Sequence, residues 1–264
     1  MKKPLPYPPP APTPDYERYC GLIDGLLRGL PRRRQTLGRE AAFAGWLSDD
    51  DRESVWHETE DVLSHLFKGE GRDLKRFCVR PPCESVVTEI CKNAEAPLTM
   101  VEIERFAGLG IGKPPQKIRT TRLITPPNKR GRSIEFALPE NVPVILSNVC
   151  RVWRDGLDGA YDIRAALWIL AGTLNAHPFP DGNGRVARAL TNAFLIRSGI
   201  LRHGPLPLGA LVYAAGGNFE VAVRRVVIDG NWDQLGKVVY GMVSVYSVLL
   251  KRFETDAQAE FSFE

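Results

Sequence analysis

The sequence predicts an all-α protein, mainly helical, with one short β-hairpin and a small helical N-terminal extension. Apolar residues recur at three- and four-residue spacing along much of the 264-residue chain, and glycine and proline runs cut that pattern into helix-length pieces. Two β-prone runs within residues 119–138 flank a turn-forming stretch. A hydrophobic content of 44% is enough for one sizeable core, or a core with a small cap, and too little for three domains.

Taken in order, the chain opens on Pro4, Pro6, Pro8, Pro9, Pro10, Pro12 and Pro14, which rule out helix or central strand and predict an extended, flexible arm, placed at residues 1–18. Helical periodicity sets in from Asp15. It covers 15–30, returns over 39–47, and recurs over 54–67 with Val55, Val62, Leu63 and Leu66, with capping residues at Ser48-Asp49-Asp50-Asp51. The helical extension is assigned to 19–95. Arg32-Arg33-Arg34 reads as a solvated linker.

Residues 84–93 and 98–107 read as two short helices, the second N-capped by Thr99. The run Gly108-Leu109-Gly110-Ile111-Gly112-Lys113 invites a nucleotide-loop reading, but Pro114-Pro115 stands where a P-loop needs Ser/Thr and a helix. Runs 120–124 and 133–137 then flank residues 126–131 as a β-hairpin, with Arg119, Arg122, Lys129, Arg130 and Arg132 expected on its solvated faces. A helix pair followed by such a hairpin also resembles a winged helix–turn–helix, although no clear recognition helix lies between them. Further helices are predicted over 141–153, 161–174, 208–215, 219–227 and 232–250.

The densest chemistry lies at 177–188. Gly182-Asn183-Gly184 can take positive φ and turn its N–H groups outward, and a helical stripe of Val186, Ala187, Leu190, Ala193 and Phe194 follows, so a glycine loop feeds a helix N-terminus, which is an anion site by geometry. Arg185 and Arg188 share one face of that positive helix end, which costs roughly 0.3–1 kcal/mol each unless a counter-anion is present. Asp181 is suited to a hard divalent cation that also touches phosphate oxygens. His177, the one side chain here with a pKa near neutrality, is the natural general base.

His177 to Arg188 matches the pattern HPFx(D/E)GNGRxxR at every specified position, and the chain resembles the Fic-domain family there. The resemblance implies a mostly helical enzyme that transfers AMP from ATP to a Ser, Thr or Tyr hydroxyl of a target protein. It implies that His177 deprotonates the hydroxyl, that Asp181 holds Mg²⁺, and that Gly182, Asn183 and Gly184 cradle the phosphates. It further implies that Arg185 and Arg188 neutralise the β- and γ-phosphates and that Phe179 anchors the loop. The hairpin at 119–138 resembles the family's flap, whose edge holds the target protein by strand addition. On this reading the Fic domain spans 96–253, and 254–264 is a tail.

Many family members carry an inhibitory (S/T)xxxE(G/N) helix whose glutamate pairs with the second motif arginine, here Arg188. No segment matches strictly. Thr36-x-x-x-Glu40 is followed by Ala41, Ser85-x-x-x-Glu89 by Ile90, and Glu70-Gly71 lacks the upstream hydroxyl, which leaves Glu40, Glu89 and Glu70 in that order as candidates, or a separate inhibitory partner, or no inhibitor. A kinase variant of the family carries Lys at the place of Gly184, which speaks against phosphate transfer. Another nucleotide or phosphocholine donor, a catalytically silent Fic scaffold, or a winged-helix DNA-binding protein stand as alternatives.

A net charge of +4 gives no expectation of nucleic-acid or membrane binding. Five cysteines, an odd number whose spacing with His57 and His65 fits no usual zinc knuckle, suggest free thiols in a reducing compartment. The proline-rich start lacks an apolar leader. The expectation is a cytoplasmic protein, with secretion as an effector left open.

Overall fold

A computed structural model describes residues 7, 9, 11–30, 84–92, 97–125, 133–202, 205, 206, 208–215 and 217–260. The expected helices over 39–47 and 54–67, the Arg32-Arg33-Arg34 run, Glu40, Glu70 and the hairpin tip at 126–131 lie outside them. The described residues form nine α-helices: α1 (Pro14–Arg28), α2 (Glu84–Lys92), α3 (Met100–Leu109), α4 (Val142–Asp155), α5 (Ile163–Ala176), α6 (Asn183–Arg197), α7 (Leu208–Ala214), α8 (Asn218–Asp229) and α9 (Trp232–Glu260). None is long and apolar enough to cross a membrane.

The centre is the α5–α6 pair. Helix α5 is apolar on every side, and nearly all of it is buried, which is the signature of a helix enclosed by others. Asp162 caps its start by accepting from the Ala165 amide. Helix α6 buries Val186, Ala187, Leu190, Ala193, Phe194 and Leu195. Helix α4 packs on α5, α2 on α6, and α8 on α9.

Helix α1 belongs to the same core. Tyr16, Cys20, Ile23 and Leu27 form its buried stripe, Thr13 caps it by accepting from the Tyr16 amide, and its main neighbour is α9. Tyr16 lies against Trp232, Tyr19 against Tyr240, and the Thr13 hydroxyl donates to Asp233. The proline arm therefore ends by Thr13, and the boundary placed at 18 falls inside a helix, because Pro14 at its first position starts α1. Likewise α9 runs on to Glu260, so a separate tail beginning at 254 is corrected to a continuation of the last helix.

Helix α3 starts on a full capping box, Thr99 with Glu102. The expected hairpin is not confirmed, since its turn lies outside the described residues. Ile124 and Glu135 make an isolated antiparallel bridge, supported by the Thr125 amide donating to Ile134 O and the Phe136 amide to Leu123 O; among the described residues no longer ladder exists.

Candidate active site

His177 ends α5. It takes the left-handed conformation, φ 41°, as the helix C-cap, and its amide donates to Thr173 O. A non-glycine residue there departs from ordinary backbone preference, a feature that concentrates at functional sites. The chain then turns through Phe179, fully buried, and enters α6 at Asn183.

The turn is held from inside. The Asn183 side chain accepts from the Phe179 amide at 2.9 Å and donates to Phe179 O at 2.7 Å, so its carboxamide is a buried brace of the loop. Only the backbone of Asn183 is left to face an anion. Gly182 caps α6 with φ 83°, which a side chain would strain. Its amide is taken by Asp181 Oδ1 at 2.6 Å. The first intrahelical bond is Val186 N to Gly182 O, so the amides of Asn183, Gly184 and Arg185 precede it and form the positive end of α6.

The two arginines lie differently. Arg185 donates to Gly110 O at 3.0 Å, in the turn after α3, and approaches Asp181 Oδ1 at 3.7 Å. Arg188 lies along α6 with its guanidinium over Gly184, where an added Cβ would stand 2.9 Å from Nη1. Asp181 is mostly exposed, with Oδ1 turned to Gly182. The uncapped amides at the start of α6 suit an anion, and the exposed Asp181 carboxylate is the one oxygen ligand at this turn of the kind a hard divalent cation takes.

The imidazole of His177 is sandwiched against Phe136, ring centroids 3.7 Å apart and planes 20° apart. Burial pushes its pKa down to about 4, the Leu174 carbonyl pulls the other way, and the positive charge of Arg119 adds to the lowering. Nδ1 is buried, which leaves Nε2 as the nitrogen able to meet an incoming group. The ring is therefore neutral at physiological pH.

Arg119 was expected on a solvated face, and the structure corrects this. It is 8% exposed, and its guanidinium donates to the carbonyls of Thr121, Ala137, Ala176 and His177. A buried guanidinium is tolerable because carbonyl acceptors replace its water. Neither Arg119 nor Phe136 is legible as a site residue in the sequence, since each meets His177 only through the fold. Of the candidate inhibitory glutamates, Glu89 is described, and it pairs with Arg105 at 3.0 Å and Lys92 at 3.5 Å.

Residues 98–195 match the Fic/DOC family profile. Among solved structures, the chain is similar to Fic-1 (residues 134 to 508) from C. elegans, at 17% identity and a TM-score of 0.51, covering 93% of this chain and 72% of that one. It is also similar to a Fic family protein from Desulfovibrio desulfuricans G20, at 13% identity and a TM-score of 0.53, covering 95% and 78%. These likenesses are of fold. No curated protein matches the chain.

Proposed function

We propose that this chain, which carries a Fic/DOC domain over residues 98–195, transfers AMP from ATP to a Ser, Thr or Tyr hydroxyl of a target protein. The observation that carries the reading is the juxtaposition of a neutral, desolvated His177 with the uncapped amides of α6, joined by a loop pinned through Phe179 and Asn183. A base and an anion site held rigidly against each other suit in-line attack on a phosphate, where positioning supplies much of the rate.

In this reading His177 Nε2 takes the proton of the target hydroxyl as its oxygen bonds to the α-phosphorus of ATP. The bond from that phosphorus to the bridging oxygen of the β-phosphate breaks, and pyrophosphate leaves. The amides of Asn183, Gly184 and Arg185 hold the phosphates, Arg188 meets the terminal charge, and Arg185 steadies Asp181 and the turn after α3. Asp181 would hold Mg²⁺, which supplies neutralisation of phosphate charge when bound. The target would lie along the limbs around the Ile124–Glu135 bridge, beside Phe136 and His177.

The test is to incubate the protein with ATP labelled at the α-phosphate, Mg²⁺ and candidate target proteins, and to take the intact mass of the protein itself in parallel. The expected outcome is α-label on protein, a mass gain of one adenylyl group on any self-modified fraction, and neither with His177→Ala. Transfer of the γ-label, or no transfer of either, overturns the reading.

A further inference from the structure

We propose that Arg119 is a positioning residue for His177: its guanidinium caps the end of α5 and ties both limbs around the Ile124–Glu135 bridge to it, and so fixes the imidazole where it meets the target hydroxyl. The proposal rests on the reading of His177 as general base.

Three consecutive carbonyls around His177 accept from this one residue. Arg119 Nη2 donates to Ala176 O at 3.1 Å, Nε to His177 O at 2.8 Å, and the Arg119 amide to Pro178 O at 2.8 Å. A helix end leaves its last carbonyls without intrahelical partners, and a cation is favoured at that negative end. Here the cap comes from 58 residues upstream in the sequence. It holds the backbone on both sides of the one residue of the loop that stands at φ 41° without being glycine.

The same guanidinium reaches both of those limbs. Nη1 donates to Thr121 O at 2.8 Å and Nη2 to Ala137 O at 2.5 Å, one carbonyl on each limb. Ala137 directly follows Phe136, whose ring covers the imidazole. One side chain therefore sets both the backbone that carries His177 and the ring stacked on it. Only arginine has the planar fork of donors for this many acceptors in fixed directions; lysine is a point charge with three rotatable donors.

Arg119 is itself held. The chain before it is tied to α3, where Glu104 accepts from the Ile118 amide at 3.1 Å and from Lys117 Nζ at 2.9 Å, and Glu104 O accepts from the Gln116 amide at 3.0 Å. The turn following that same helix supplies the carbonyl that binds Arg185. Helix α3 thus braces the base and the phosphate site from one side, which is the support a catalytic geometry requires.

The experiment compares Arg119→Lys and Arg119→Ala with wild type by three readouts: the NMR chemical shifts of the His177 ring, which carry the ring current of Phe136; ATP Kd; and kcat. Both folded variants are expected to move the His177 ring resonances away from their wild-type positions and to lower kcat about 10²-fold, the scale of a small misplacement at the reacting atoms, with ATP Kd unchanged. Added guanidinium ion should restore resonances and rate in Arg119→Ala. A folded variant that loses stability but keeps wild-type His177 resonances and kcat overturns the proposal. Should Arg119→Ala not fold, Arg119→Lys decides by the same readouts. If wild type transfers no AMP, the functional reading falls, while the ring resonances, which need no turnover, still decide the role of Arg119.

Discussion

Phe136 lies face to face with His177, the two rings 3.7 Å apart at their centroids. The segment that carries Phe136 also pairs with Leu123, through the Phe136 amide donating to Leu123 O, and it forms the roof of the imidazole. Desolvation by this roof and by the end of α5 keeps the ring uncharged.

The pH dependence follows from that. A His pKa lowered to about 4, against an ordinary 6.5, means the base is already deprotonated across the physiological range. We expect kcat/KM, which reports the free enzyme, to stay flat from neutral pH down to about pH 5 and to fall below it, in place of an inflection near 6.5. For stability the sign is the same. Between the two pKa values the unfolded chain binds more protons than the folded one, so His177 favours folding above 6.5 and loses that contribution, about 3 kcal/mol at most, as pH falls toward 4. Denaturant unfolding of wild type and His177→Gln at pH 7 and near pH 4.5 measures it; equal losses in both would contradict the burial of the ring.

Asn183 offers a test of the loop that does not depend on the base. Its side chain makes two bonds to Phe179, and Asn192, two and a half turns further along α6, makes the same pair of bonds to Leu206 at 2.8 and 3.0 Å. Either asparagine replaced by Ala strands two buried backbone groups, so each variant should lose about 2–4 kcal/mol in chemical denaturation. Only Asn183→Ala should also weaken ATP binding, because only it releases the loop that leads into the α6 amides. Equal ATP affinity in the two variants would show that Phe179 alone pins the turn.

The contrast between these two asparagines marks how far the sequence carries. The helices of the core were legible from apolar spacing: α5 lies within two residues of its expected bounds, because a helix enclosed on every side must be apolar along its length, and α6 buries the whole stripe expected of it. The contiguous run from His177 to Arg188 was legible because its chemistry is local. The sequence does not say which way an asparagine on the first turn of a helix points, and so the reading of Asn183 as part of a phosphate cradle could not add that its carboxamide faces inward to brace Phe179. Nor does it reveal that Arg119, one of several basic residues around a turn, is the one drawn into the interior; that follows from where α5 ends in space.

Regulation through Glu89 can be judged from its partners. The carboxylate is held below its usual range by the hydrogen bond from Arg105, with Lys92 adding to it, and both partners belong to the surface between α2 and α3. Glu89→Gly should therefore leave AMP transfer at the wild-type rate. An increase in self-modification by this variant would show that the Arg105 pair is exchanged for one with Arg188.

The last prediction separates two duties of Asp181. Its Oδ1 holds the Gly182 amide, which shapes the left-handed turn into α6, while the rest of the exposed carboxylate is left for a cation. Asp181→Asn keeps an oxygen that can accept from Gly182 but removes the charge; Asp181→Ala removes both. If the carboxylate binds Mg²⁺, both variants should need more Mg²⁺ for half-maximal activity and recover part of their rate when it is supplied, since substrate phosphates alone still bind the ion. Only Asp181→Ala should also lose stability, by about 1 kcal/mol for one partly exposed hydrogen bond. Mg²⁺ titrations of rate together with thermal unfolding of both variants give the two readouts independently. Full activity of wild type in EDTA, or an Asn variant with unaltered Mg²⁺ dependence, would remove the metal from Asp181 and leave it as a turn residue alone.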